Sequence, residues 1–197
     1  MNLKEDLEKV RQKCLSCEKC SLHKTRTNLV FSGGTPNTKL MLIGEAPGFY
    51  EDQQGVPFVG KAGQLLDKIF ESVGLSRNDI YICNTLKCRP PDNRDPLPEE
   101  KEACREYLDA QIEILKPKII LLCGRIALYS MIDTTLGITK VRGQWFDGPN
   151  DSKMMPIFHP SYLLRNASRE KGKPKWLMWQ DIQEIKKAYD EIVKSER

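Results

Sequence analysis

The sequence predicts an α/β protein with three layers, α/β/α, around a central four-stranded parallel sheet. Three observations lead there. Four short apolar runs recur along the chain, each about the length of a strand. Between them lie longer stretches with apolar residues at helical spacing. The resulting order of strand, helix, strand, helix, strand, helix, strand is that of parallel strands joined by crossovers, with helices on both faces.

Each element has its own warrant. Residues 3 to 13 form a charged stretch that reads as a helix. Lys39-Leu40-Met41-Leu42-Ile43 is an apolar run ending at Gly44, the mark of a buried strand. Ala62, Leu65, Leu66, Ile69, Phe70 and Val73 recur at helical spacing, and Gly74 stops them. Ile80-Tyr81-Ile82-Cys83 is the second strand. A helix follows from Pro98 to Leu115, opened by a proline and two glutamates, as the positive end of the helix dipole favours. Ile119-Ile120-Leu121-Leu122-Cys123 is the third strand, and Arg125 to Met131 a short helix. Met154-Met155-Pro156-Ile157-Phe158 is the fourth strand, whose proline predicts an edge position. The last helix runs from Pro174 to Val193, with Met178, Ile182, Ile185, Tyr189 and Ile192 on one face.

Composition narrows the class. The chain has 197 residues, 40% of them hydrophobic and 29% charged, which is the balance of a folded protein. With no repeat or long linker, it reads as one domain spanning residues 1–197. No apolar run approaches the roughly 20 residues of a transmembrane helix. The charged beginning of the chain lacks the apolar stretch of a signal peptide, so a cytoplasmic monomer without a membrane partner is expected. The net charge of +4 permits a nucleic-acid partner without requiring one.

Open parallel sheets bind ligands beyond the carboxyl ends of their strands. Glu45, Asn84, Arg125 and His159 each follow one of the four strands. A carboxylate, an amide, a cation and an imidazole are therefore expected along one edge.

Seven cysteines are many for a reducing compartment, and an odd number cannot pair off. Cys14, Cys17 and Cys20 are spaced three apart, and Cys88 and Cys104 are separated by a proline-rich loop and part of a helix. Cys83 and Cys123 lie inside strands and read as core thiols. The spacing alone leaves zinc, an iron–sulfur cluster and a redox pair open. The redox pair fits poorly, because its motif follows a strand and here it follows a charged helical stretch.

A set of blocks in fixed order carries a resemblance. Gly44-Glu45-Ala46-Pro47-Gly48 is followed by Gly55-Val56-Pro57-Phe58-Val59-Gly60-Lys61-Ala62-Gly63 and by Asn84 with Lys87-Cys88-Arg89-Pro90-Pro91. Thr139-Lys140-Val141-Arg142-Gly143 and His159-Pro160-Ser161-Tyr162-Leu163-Leu164-Arg165-Asn166 complete the set. In this order the blocks closely resemble the family 4 uracil-DNA glycosylases, from about Cys17 to the final helix. The resemblance implies their fold and a repair glycosylase that flips uracil out of single- or double-stranded DNA. The enzyme then hydrolyses the N-glycosidic bond and leaves an abasic site for base excision repair. It also implies a 4Fe–4S cluster on Cys17, Cys20, Cys88 and Cys104. Cys20-Ser21-Leu22 and Arg26-Thr27 set that frame and leave Cys14 spare. Nothing in uracil excision needs an electron, so no redox step is expected.

The same resemblance assigns roles at the strand edge. Phe58 offers an aromatic face to the base, and the amide of Asn84 matches uracil's acceptor O4 and donor N3–H. Cytosine presents the opposite pattern. His159 donates a hydrogen bond to uracil O2 as the bond breaks and negative charge gathers on the base. The position of a water-holding Asp or Asn in other families is Ala46 here. Glu45 is the nearest carboxylate, either to act on water or to shape the loop. Backbone N–H groups of Glu45 and Ala46 are candidate uracil contacts, and Glu51 is a candidate for excluding thymine's methyl. Leu163 is the expected wedge that fills the gap left by the flipped base, with Arg165 and Arg169 beyond it to meet phosphate. Two alternatives stand beside this reading. One is a glycosylase for hypoxanthine or xanthine. The other is a protein that only binds uracil-DNA or becomes covalently trapped on it. Trapping goes with an extra basic, histidine-bearing loop, and no such loop lies between Gly143 and His159.

Overall fold

A computed structural model describes residues 2–195, so the outermost residues of the expected domain span lie outside it. In chain order the elements are α1 (Leu3–Leu15), β1 (Gly33–Gly34), β2 (Leu40–Gly44), α2 (Phe49–Gln54) and α3 (Lys61–Glu71). They continue with β3 (Ile80–Asn84), α4 (Pro98–Leu115), β4 (Ile119–Cys123), α5 (Arg125–Met131) and α6 (Ile138–Val141). The chain ends with β5 (Phe146–Asp147), β6 (Lys153–Ile157), α7 (Pro160–Arg165) and α8 (Pro174–Ser195).

The four expected strands form the parallel centre, ordered β3-β2-β4-β6. The four-stranded parallel centre is as expected, and the whole sheet has six strands. Two-residue antiparallel strands, β1 beside β3 and β5 beside β6, border the parallel set. Two residues are too few to show a period, so neither strand has a sequence signal. β6 is consequently not the outermost strand. Its Pro156 nevertheless lies past the reach of β5, which pairs only with Lys153 and Met154. The missing N–H of that proline therefore breaks no ladder bond.

Side chains alternate between the two faces of the sheet. Leu40, Leu42, Ile80, Ile82, Ile119 and Leu121 pack against Leu66 and Phe70 of α3 and Met178, Ile182 and Ile185 of α8. Met41, Ile43, Tyr81, Cys83, Ile120 and Leu122 pack against Leu7 of α1, Leu108 and Ile112 of α4, and Ala127 of α5. Three layers follow directly, as expected. The helix after β2 covers one face and the helix after β4 the other, so the neighbouring ends of β2 and β4 open a crevice.

Candidate active site and cysteine centre

A cavity of about 620 Å³ occupies that crevice. Glu45, Asn84, Arg125 and His159 all line it, as the strand-end rule predicts, together with Ala46, Phe58, Glu51 and Arg165.

Phe58 is held in an unusual way. Its φ of 55° lies in the left-handed region, which costs a non-glycine residue on the order of 1–3 kcal/mol unless its surroundings fix it. Arg77 fixes it. One guanidinium nitrogen donates to Pro57 O at 3.0 Å, another donates to Phe58 O, and Asp67 holds the same guanidinium at 2.8 Å. Gly63 lets α3 accept the turn, because a Cβ there would sit 1.8 Å from Phe58 O. At the far end of the ring a Cβ on Gly44 would lie 2.7 Å from Phe58 Cζ and 2.3 Å from Asn84 Oδ1. The glycine ending β2 thus lets the aromatic face and the amide meet.

Asn84 is 2% exposed, at the last position of β3. Among the described residues its side-chain amide has no hydrogen-bond partner, so both its donor and its acceptor remain free for a ligand. The Phe58 and His159 rings lie 5.9 Å apart, tilted by 33°. His159 caps α7. Its Nδ1 accepts from Ser161 N–H at 3.1 Å, with Ser161 Oγ 2.7 Å away. A backbone N–H can only donate, so Nδ1 carries the lone pair and the neutral ring holds its proton on Nε2. Burial, aided by the Arg165 charge, lowers the His159 pKa to about 4, and the imidazole is neutral at pH 7. Burial and then the Asp95 charge raise the pKa of Glu45, against the pull of Arg125. Arg125 itself pairs with Asp95 at 2.7 Å.

Two expectations shift. Leu163 is 1% exposed and belongs to the core that also holds Leu66 and Phe70, so it is not the wedge. The motif forms α7, whose turn sends Leu163 inward and Leu164, 45% exposed, outward. Glu51 does line the cavity, but its Oε1 accepts from Val59 N–H and Gly60 N–H at 3.0 Å each, where α3 begins. It shapes the loop that carries Phe58. Sequence reasoning did not find Arg77, whose contacts run across 19 residues and leave no local pattern. Ser161 stood in plain view, two positions after the histidine.

Cys14, Cys17, Cys20, Cys88 and Cys104 line a second cavity, with Arg26, Lys87 and Tyr107. Among the described residues no three cysteine, histidine or acidic side chains gather as for a single ion. Two sulfurs already accept hydrogen bonds. Arg26 Nη1 donates to Cys88 Sγ at 3.2 Å, and Lys87 N–H donates to Cys104 Sγ at 3.3 Å. Burial raises the Cys88 thiol and pushes Cys104 up to about 11. Cys83 and Cys123 sit fully buried in strands, as expected. His23 Nδ1 lies 2.7 Å from Cys20 O.

Comparison with known proteins fits this geometry. The family described as the uracil DNA glycosylase superfamily matches residues 31–183. The chain belongs to the uracil DNA glycosylase superfamily. Within the superfamily it is similar to the Type-4 uracil-DNA glycosylase of Thermotoga maritima, 45% identical over 92% of this chain and 94% of that protein. The Type-4 uracil-DNA glycosylase of Archaeoglobus fulgidus is 42% identical over 81% of this chain and 84% of its own. That of Sulfurisphaera tokodaii is 43% identical over 85% and 80%. The superfamily match begins at residue 31, so it leaves out Cys17 and Cys20, whereas the Thermotoga alignment spans 183 residues.

Proposed function

We propose that this chain excises uracil from DNA, hydrolysing the N-glycosidic bond and leaving an abasic site in base excision repair. One observation carries the reading. A buried, unpartnered amide, an aromatic face and an imidazole whose Nε2 bears the proton meet in one cavity at the crevice of the sheet. Asn84 pairs with the O4 and N3–H edge of the base while Phe58 lies against its face. His159 donates from Nε2 to O2 as charge builds on the departing base. Glu45, with its raised pKa, accepts a proton from the attacking water or steadies the cationic sugar. Ala46 leaves room beside it, and backbone N–H groups of Glu45 and Ala46 are further uracil contacts. Leu164 and Arg165, both exposed on α7, face the DNA, which is single- or double-stranded.

Cys17, Cys20, Cys88 and Cys104 hold a 4Fe–4S cluster in this reading. An all-thiol donor set suits an iron–sulfur cluster, and hydrogen bonds to two sulfurs are of the kind that tune one. The cluster supplies a cross-link between the segment after α1 and the loop after β3, with no redox step. No described helix is long and apolar enough to cross a membrane. The protein acts in the cytoplasm as a single-domain monomer. Release of free uracil from a uracil-bearing oligonucleotide, followed over many turnovers, tests the reading. A faster release of hypoxanthine or xanthine, or a stoichiometric covalent adduct, would overturn it.

A further inference from the structure

Lys87 is 0% exposed, a burial that lysine rarely shows without a charged partner. The other deeply buried charged side chains have evident partners. Glu100 has Arg94 and Asp181 has Arg142. Asp52 accepts from Thr27 N–H and Asn28 N–H. Among the described residues Lys87 meets no carboxylate. Its Nζ donates to Gln111 Oε1 at 2.6 Å and to the main-chain carbonyl of Asn84 at 2.8 Å, and it lies 5.8 Å from the centre of the Phe31 ring.

Both ends of this bridge are informative. Gln111 is immobilised, since its Nε2 donates to Phe31 O at 3.1 Å and to Tyr81 OH at 2.8 Å. The other end is the carbonyl of the residue whose side chain faces the cavity. Thr85 ties the far side of the same peptide, through Thr85 N–H to Gly44 O at 3.0 Å and Thr85 Oγ1 to Glu45 O at 2.5 Å. The peptide after Asn84 is thus clamped from two directions, although the Asn84 amide itself has no hydrogen-bond partner among the described residues. An amide left free for a ligand keeps its aim only if its backbone is fixed.

We propose that Lys87 is a positioning residue for Asn84, clamping the peptide that aims the uracil-reading amide. The inference rests on the role given to Asn84 above. Lys87→Met keeps the length of the side chain and removes the donor, leaving two buried acceptors unpaired. In that variant the affinity for free uracil, read by titration calorimetry, falls about tenfold. Excision shows the loss mainly in kcat, with KM for DNA nearly unchanged. Binding of DNA that carries an abasic site, which offers no base to read, stays within about twofold of the parent.

A double-mutant cycle separates this proposal from the reading beneath it. Asn84→Ala alone must weaken uracil binding; if it does not, the role of Asn84 fails first. If Asn84→Ala weakens binding and Lys87→Met adds an equal further loss in its presence, Lys87 does not act through Asn84 and the proposal is overturned. A Lys87→Met protein that binds uracil like the parent overturns it as well. Should Lys87→Met not fold, Gln111→Met removes only the outer brace. It is expected to weaken uracil binding about two- to fivefold, again with no effect in the Asn84→Ala background. Uracil affinity unchanged in Gln111→Met would then decide against the clamp.

Discussion

The strand-end pocket and the cysteine centre are built on opposite principles. The pocket gathers the ends of four strands of one sheet, and its polar side chains are held from behind. Ser161 sets His159, and Arg77 and Gly63 set Phe58, while the Asn84 amide keeps no hydrogen-bond partner among the described residues. The centre gathers thiols from distant segments, and burial pushes those of Cys88 and Cys104 toward the protonated state. A pocket of that kind is organised before its ligand arrives. A centre of that kind is complete only when a metal group displaces the protons. Changes in the pocket should therefore alter rate and spare stability, and changes in the centre should do the reverse.

The largest effect is expected at the centre. Cys88→Ala or Cys104→Ala opens the thiol ring, and iron content should fall to near zero with a collapse of the melting temperature. Cys14 tests the frame. It lines the same cavity, but it packs at 1% exposure against Phe31 and Tyr107. Cys14→Ala should keep its iron and lose only about 1 kcal/mol, as for a small buried side chain. Bleaching by Cys14→Ala, with iron retained in Cys20→Ala, would move the ligand set by one cysteine.

Next comes His159. Removing one donor aimed at a developing anion costs about 10²–10³ in kcat. His159→Ala should lose that much while its melting temperature at pH 7 stays close to the parent's. Stability should carry the reverse signature of this residue in acid. An unfolded histidine takes up its proton near pH 6.5, whereas this one does so at about 4. The unfolded chain binds the extra proton in between. Stability present above about pH 6.5 is thus lost as pH falls toward 4, by about 1.4 kcal/mol per unit from this group. The difference between parent and His159→Asn unfolding curves across that range measures it.

Glu45 separates its two candidate roles through pH. Its carboxyl is raised by burial, so the carboxylate is lost at a higher pH than an ordinary glutamate would lose it. A rate that needs the Glu45 carboxylate therefore has an acid limb displaced to higher pH. If Glu45 acts on water, Glu45→Gln flattens the limb and lowers the plateau by about 10²-fold. An unchanged limb in Glu45→Gln leaves the residue only the shape of its loop.

The same contrast explains what could be read from the sequence. The four core strands and the helices after them were legible because burial on both faces leaves plain apolar runs and a helical period. Glu45, Asn84, Arg125 and His159 were legible because each follows a strand, and the topology does the rest. The cysteine partners were not legible in that way. Cys17 and Cys104 sit in segments whose meeting depends on α1 packing beside α4, and only the family resemblance joined them. Arg77 and Lys87 were hidden for a related reason. Each acts on a main-chain carbonyl, and a carbonyl has no identity in a sequence.

The smallest expected effect concerns the two leucines of α7, and it tests whether the pocket's rule of free faces extends to DNA. Leu163 is core, and Leu163→Ala should cost roughly 2–5 kcal/mol of stability and slow single- and double-stranded substrates alike. Leu164 is exposed beside Arg165, which lines the strand-end cavity. A solvent-facing leucine contributes little to folding, so Leu164→Ala should leave the melting temperature within a degree or two. Its value would lie in duplex DNA, where an apolar side chain offsets part of the unstacking cost of a few kcal/mol. Losing part of that offset should slow excision from duplex about three- to tenfold and leave single strands, which have less stacking to open, nearly untouched. Equal rates for Leu164→Ala and parent on duplex would show that the flipped base leaves a gap that neither leucine fills.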